Sequence, residues 1–153
     1  MRTTFILLFV LLIGGTMKTY AQAKNAIGLG LSLNTSRENS NGFGALLQGE
    51  VKIAKAVSIT PYLGGEVAYG VLAGLSGRYY FSKEIYTLAG AFGHLDPDYS
   101  GFGATAGIGF IILSARHQTL DLNFHGDYMK RGSQPTPVAG LRLIYSFSFT
   151  KLE

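Results

Sequence analysis

The feature that most constrains this chain is a series of segments in which apolar residues alternate with small or polar ones. The clearest runs from Leu141 to Phe149, where the odd positions are Leu, Leu, Tyr, Phe and Phe and the even positions are Arg, Ile, Ser and Ser. A period of two is typical of a β-strand, because successive side chains point to opposite faces of the sheet. Seven similar segments precede it, so the sequence predicts an all-β fold.

The eight predicted strands each have one apolar face. They span residues 26–34, 43–53, 57–65, 68–81, 86–95, 102–113, 119–128 and 138–149. In the fifth strand Ala and Gly occupy both faces, and we expect Tyr86, Leu88 and Phe92 to mark its outward face. Short connections at 54–56, 82–85 and 114–118 alternate with longer ones at 35–42, 96–101 and 129–137, apart from a tight turn near residue 65.

Charged residues inside these strands lie on the face opposite to the bulky apolar one. A soluble, ligand-carrying barrel turns its apolar face inward and shows water a heavily charged exterior. Here the polar face is mainly Gly, Ser, Thr and Ala, and only 14% of the chain is charged, against about a quarter in soluble proteins. We therefore predict an eight-stranded antiparallel up-and-down transmembrane β-barrel with its apolar face in lipid. The alternative is a carrier of a hydrophobic ligand, in which the apolar face would point inward.

Residues 1–23 are typical of a signal peptide. Arg2 supplies positive charge, and residues 5–13 form an apolar stretch that is too short to span a bilayer as a helix. The small residues that follow predict cleavage after Ala21 or Ala23, which leaves a single barrel domain at 24–153. The chain has no Cys and therefore no lipidated thiol and no disulfide.

This pattern resembles the small eight-stranded outer-membrane β-barrel proteins of Gram-negative bacteria. The Ala21-Gln22 junction and the ending from Gly140 to Phe149 are similar to members from the Bacteroidota. The resemblance implies an outer-membrane monomer in contact with lipid and lipopolysaccharide. It also implies a last strand that the barrel-assembly machinery recognises, here through Tyr145, Phe147 and Phe149, although four residues follow Phe149. Since short turns face the periplasm in such barrels, both ends of the chain are expected there.

The inward faces define the candidate site. We place seven ionisable residues in the lumen, together with Gln48, Tyr62, Tyr80 and Asn123: Glu50, Lys52, Glu66, Arg78, Asp121, His125 and Arg142. Arg142 should face Asp121, Asn123 or His125 across the last hairpin. Because an isolated buried charge is very unfavourable, we expect a paired structural network. A narrow proton or ion path is the alternative, and an eight-stranded barrel leaves no room for an open pore.

Other chemistry has weaker support. His94 lies near Asp96, Asp98 and Ser100, the one cluster with the residue types of a lipid-A-modifying enzyme, but the stretch is rich in turn formers and predicts a solvated loop. We predict no catalytic residue, cofactor or metal site. Without Arg2 and Lys18, 11 basic and 9 acidic residues remain, a net charge of about +2 that argues against nucleic acid. Cations in the longer loops could contact lipopolysaccharide phosphates: Arg37, Lys130 and Arg131. The leading function is a non-enzymatic barrel with a structural, envelope-stabilising or surface-interaction role.

Overall fold

Eight strands close into one antiparallel barrel. A computed structural model describes residues 23–35, 42–67, 70–95, 100–131 and 134–149, without the side chains of 130, 131, 134 and 135. The strands are β1 (Ala26–Asn34), β2 (Gly42–Ala54), β3 (Val57–Glu66), β4 (Gly70–Tyr80), β5 (Ile85–Leu95), β6 (Ser100–Ala115), β7 (Gln118–Arg131) and β8 (Gln134–Ser148). Each strand pairs with its neighbours in sequence, and β1 also pairs with β8. The predicted fold class is confirmed, and the proposed signal peptide lies almost entirely outside the described residues.

We name the two ends of the barrel by the chain. The terminal end holds the start of β1 and the end of β8, where Ala26 pairs with Ser148, together with the turns at 55–56, 81–84 and 116–117. The far end holds the other four connections. Gly70 begins β4 there with a φ of 65°, a left-handed conformation that favours glycine. No helix in the described part of the chain is long and apolar enough to cross a membrane.

The connection between β7 and β8 differs from the prediction. Pairing continues to Arg131 and Gln134, so the long loop expected at 129–137 is instead an extended hairpin. The prolines at 135 and 137 argued against a strand, because proline cannot donate to a ladder. The described β1 ladder reaches β8 only at Gly140, so these prolines occupy a part of β8 that has no partner among the described residues on its β1 side.

Seven strands face as predicted, with bulky apolar side chains outward. On β1, Ile27, Leu29, Leu31 and Leu33 are all exposed, and the residues between them are Gly28, Gly30 and Ser32. The same alternation holds on β2, β3, β4, β6, β7 and β8. The apolar surface therefore forms a continuous outer wall, and the polar side chains fill the interior.

The orientation predicted for β5 is wrong. Tyr86, Leu88 and Phe92 are 0%, 5% and 4% exposed and point into the lumen. The reason lies on β6, where Gly109 and Gly103 pair with Tyr86 and Phe92. A Cβ atom at either glycine would overlap the aromatic ring opposite it, so the missing side chain is what makes room for the ring. The outward face of β5 is left with Ile85 and Leu95 at its ends and smaller residues between them.

Candidate functional site

The polar residues of the lumen form two clusters. The terminal cluster contains Lys24, Gln48, Glu50, Ser58, Arg78, Tyr80, Tyr86, Thr119 and Asp121, and the far cluster contains Asn34, Tyr62, Glu66, His125, Asp127 and Arg142. Leu46 and Ile144 lie between them along β2 and β8, where both side chains cover Gly30. All of these residues are buried. The lumen is therefore filled by side chains, as expected for eight strands.

Arg78 organises the terminal cluster. Its Nη1 lies 3.2 Å from Oε2 of Glu50 and 3.8 Å from Oδ2 of Asp121. Its Nη2 donates a hydrogen bond of 3.1 Å to Oε1 of Gln48, and its guanidinium carbon lies 4.5 Å from the centre of the Tyr86 ring. One side chain from β4 thus links residues of β2, β5 and β7.

The two carboxylates of this cluster have further partners. Glu50 accepts hydrogen bonds from the hydroxyls of Tyr80 at 2.5 Å and Ser58 at 2.8 Å. Asp121 accepts one from the Tyr86 hydroxyl at 2.8 Å. Because hydrogen bonds to an ionised group are stronger than neutral ones, these contacts stabilise both carboxylates in the absence of water.

Lys24 completes the terminal cluster, although no sequence pattern had pointed to it. It precedes β1, is fully buried and donates to the hydroxyl of Thr119. Burial lowers the pKa of its ammonium group, while the carboxylates of Glu50 and Asp121 act in the opposite direction. With Arg78, it brings the cluster to two cations and two carboxylates. Lys24 lies beside the proposed cleavage site and before the first predicted strand, so the alternating pattern did not predict its position in the lumen.

Lys52 does not belong to the lumen network. It has the inward parity of Glu50, but its side chain is exposed at the terminal end. The ladder between β2 and β3 becomes irregular between Lys52 and Ala54, and β2 extends here past the closed part of the barrel. The backbone N–H of Lys52 donates to Oδ1 of Asn25 at 2.8 Å.

The far cluster is centred on Arg142. Its Nη2 lies 3.4 Å from Oδ2 of Asp127 and 3.8 Å from Oε1 of Glu66. The same oxygen of Asp127 lies 3.6 Å from Nε2 of His125, and Asn34 donates to Glu66. Arg142 pairs with Asn123 in the β7–β8 ladder, as predicted, but its ion-pair partners are Asp127 and Glu66, whereas Asp121 contacts Arg78.

The two clusters differ in charge. The terminal cluster has equal numbers of cations and carboxylates, and its ion pairs measure 3.2–3.8 Å. The far cluster has two carboxylates for one guanidinium, and the ion pairs of that guanidinium measure 3.4–3.8 Å. The terminal cluster is therefore the one in which cations and carboxylates balance.

His94 does not lie in the solvated loop that we predicted for it. It belongs to β5, is 3% exposed and points into the barrel near Phe92, with 6.4 Å between ring centres. Ser100 is exposed in β6, and Asp96 and Asp98 lie outside the described residues. Neither ring nitrogen of His94 has a hydrogen-bond partner among the described atoms, so no serine–histidine contact is formed there. The described residues also contain no group of three His, Cys, Asp or Glu placed to hold a metal.

The candidate assembly residues lie on the outer face of the barrel. Tyr145, Phe147 and Phe149 are exposed along the end of β8. His117 stacks on Phe147 with 5.9 Å between ring centres, and the Phe149 N–H donates to the Asn25 carbonyl at 2.8 Å. The side chains of Arg37, Lys130 and Arg131, proposed to contact lipopolysaccharide, lie outside the described part of the chain.

Comparison with solved structures supports the fold. A chain from the de novo design of transmembrane β-barrels has a TM-score of 0.54 and 10% identity, over 82% of this chain and 98% of that one. The N-terminal β-barrel domain of Pseudomonas aeruginosa OprF has a TM-score of 0.52 and 17% identity, over 82% and 100%. No family model and no curated protein sequence matches the chain. At these identities the similarity establishes the barrel fold.

Proposed function

We propose that this chain is a non-enzymatic integral protein of the bacterial outer membrane with a structural, envelope-stabilising or surface-interaction role. One observation carries the proposal: the closed barrel exposes a bulky apolar wall and buries six charged side chains of its strands inside, those of Glu50, Glu66, Arg78, Asp121, Asp127 and Arg142. In water this arrangement would be inverted. In a bilayer it is the arrangement required, because closure satisfies every ladder hydrogen bond and the wall faces hydrocarbon.

Several features fit this location. The signal peptide would direct export, with cleavage after Ala21 or Ala23. The terminal end would face the periplasm, since the start of β1 and the end of β8 lie there. Tyr145, Phe147 and Phe149 would be recognised during assembly. The protein would be a monomer in contact with outer-membrane lipid and, through Arg37, Lys130 and Arg131, with lipopolysaccharide.

The filled lumen favours a structural role over transport. Two polar clusters and the Leu46–Ile144 layer occupy the described interior, and eight strands leave little more room than these side chains fill. A lipid-A-modifying enzyme would need a nucleophile beside a base, and His94 has no such partner in the described structure.

The experiment is electrophoresis of the outer-membrane fraction with and without boiling in detergent. A band that migrates differently when unboiled would show a detergent-resistant barrel in that membrane. A soluble periplasmic product without a shift would overturn the proposal and favour a carrier with its apolar surface around a ligand. A change in lipid A mass on expression, abolished by His94→Ala, would instead support the enzyme.

A further inference from the structure

Every turn at the terminal end carries an exposed cation. Lys55 lies between β2 and β3, Lys83 between β4 and β5, and Arg116 between β6 and β7, while Lys52 is exposed at the end of β2. We call these four residues the turn rim. Among the described exposed residues of these turns, the one carboxylate is Glu84. The terminal end is therefore surrounded by positive charge on three sides of the barrel.

Exposed apolar side chains adjoin each of these cations. Ile53 lies between Lys52 and Lys55, Phe81 lies two residues before Lys83, and Leu113 lies three residues before Arg116. Lipid-facing barrels place aromatic and apolar side chains up to the membrane interface. Long cationic side chains extend from that level towards the headgroups while their stems stay on apolar surface. The turn rim therefore lies at the terminal edge of the hydrocarbon-facing wall.

We propose that the turn rim binds the phosphate groups of anionic phospholipids in the leaflet that it contacts. This inference rests on the proposed membrane location. The cations are distributed around the barrel mouth and are not gathered in one pocket, so they would enrich a shell of anionic lipids instead of holding one lipid. A Lys or Arg near an anionic surface favours association several-fold, and a guanidinium such as that of Arg116 can contact two phosphate oxygens at once.

The test measures lipid preference around the inserted barrel. The chain contains nine Tyr and no Trp, and Tyr79 and Tyr145 are exposed on the wall towards the terminal end. Tyrosine fluorescence can therefore report on lipids with brominated chains. The protein is inserted into vesicles of phosphatidylcholine and phosphatidylglycerol in which one or the other lipid is brominated. We expect wild type to prefer phosphatidylglycerol by about three- to ten-fold, and 0.5 M salt to reduce the preference.

The variant K55S/K83S/R116S should lower this preference towards one. The matched, charge-conserving control K55R/K83R/R116K changes the same three side chains and should retain the preference. A heat-dependent gel shift is recorded for each variant to show that the barrel is closed. If the triple variant does not close, the three single variants are compared, each with a partial loss expected.

Three outcomes would overturn the inference. Wild type could show no preference for phosphatidylglycerol, K55S/K83S/R116S could retain the full preference, or K55R/K83R/R116K could lose it equally, which would indicate that the preference does not depend on the charge of these side chains. Each of these leaves the membrane location intact when the gel shift is present. A protein that neither inserts nor shifts would refute the proposed function itself. Binding to an acidic periplasmic polymer without lipid preference would also count against the inference.

Discussion

Gly109→Ala tests the packing of the lumen at a single atom. The added Cβ would overlap the ring and hydroxyl of Tyr86, which is fully buried. Gly109 does not have a positive φ, so backbone strain does not contribute. The Tyr86 ring must move, and its movement weakens the 2.8 Å hydrogen bond to Asp121 and the contact with Arg78.

The magnitude follows from these losses. A hydrogen bond to a charged group contributes about 1.5–3 kcal/mol, a desolvated cation–π contact about 1–2 kcal/mol, and overpacking costs about 1–3 kcal/mol. Because the ring can retain part of each contact, we expect the free energy of unfolding to fall by about 3–5 kcal/mol. The assay is urea unfolding of the vesicle-inserted barrel, followed by gel mobility and circular dichroism.

Gly126→Ala is the matched control, since a Cβ at Gly126 meets nothing within 4 Å. It should be neutral or slightly stabilising, because alanine restricts the unfolded chain. Tyr86→Leu in the Gly109→Ala background should recover part of the packing loss. If Gly109→Ala were as stable as the control within about 0.5 kcal/mol, Tyr86 would not lie over Gly109, and the inward orientation of β5 would be refuted.

Three further changes probe other parts of the molecule. Arg78→Met should lower the free energy of unfolding by about 3–5 kcal/mol, because it leaves two buried carboxylates without their main cation. Urea unfolding would contradict this if the loss were below that of Arg142→Met, since Arg78 also hydrogen-bonds Gln48 and lies closer to an aromatic ring than Arg142 does. Wild type should show no steady conductance in planar bilayers. Arg142→Ala should create no conductance either, because the terminal cluster still fills the lumen. A wild type that conducts ions, and loses this conductance in Arg142→Ala, would favour an ion path. Phe149→Ala should reduce the heat-modifiable barrel in the outer-membrane fraction, whereas Phe43→Ala, which removes another exposed ring from the wall, should not. Equal effects would show loss of wall area and not of an assembly signal.

The sequence was most informative where one face of a strand carries bulky apolar side chains. On β1 and β8 the period of two is unambiguous, so the orientation of both strands and the bounds of β1 were predicted closely, whereas β8 begins four residues before its predicted start. On β5 the same rule failed, because its largest side chains are the lumen-filling Tyr86 and Phe92. The glycines opposite them on β6 were a usable signal, since pairing across the short connection at 96–99 brings Gly103 and Gly109 to these positions.

The sequence predicted which residues of the strands line the lumen, but it did not predict which of them contact each other. Parity placed Glu50, Arg78 and Asp121 in the lumen, but contacts among three different strands depend on the stagger of the whole barrel. Lys24 lies outside any strand, so no periodicity could place it. Lys52 has the same parity as the inward residues of β2, but its side chain is exposed because β2 extends here beyond the closed ring.

The ladder between β1 and β8 has a consequence for how the barrel forms. It joins Ala26 to Ser148, so it encloses roughly ten times more chain than a hairpin does, which adds only about 2 kcal/mol of loop entropy. Until this ladder forms, the sheet has two free edges, and unpaired backbone groups are strongly unfavourable in hydrocarbon. An open sheet therefore cannot remain in the lipid as a stable intermediate. In the proposed outer-membrane location, entry into the bilayer and closure of the last seam would occur together, and whatever delivers the chain would have to cover both edges until the final strand is in place.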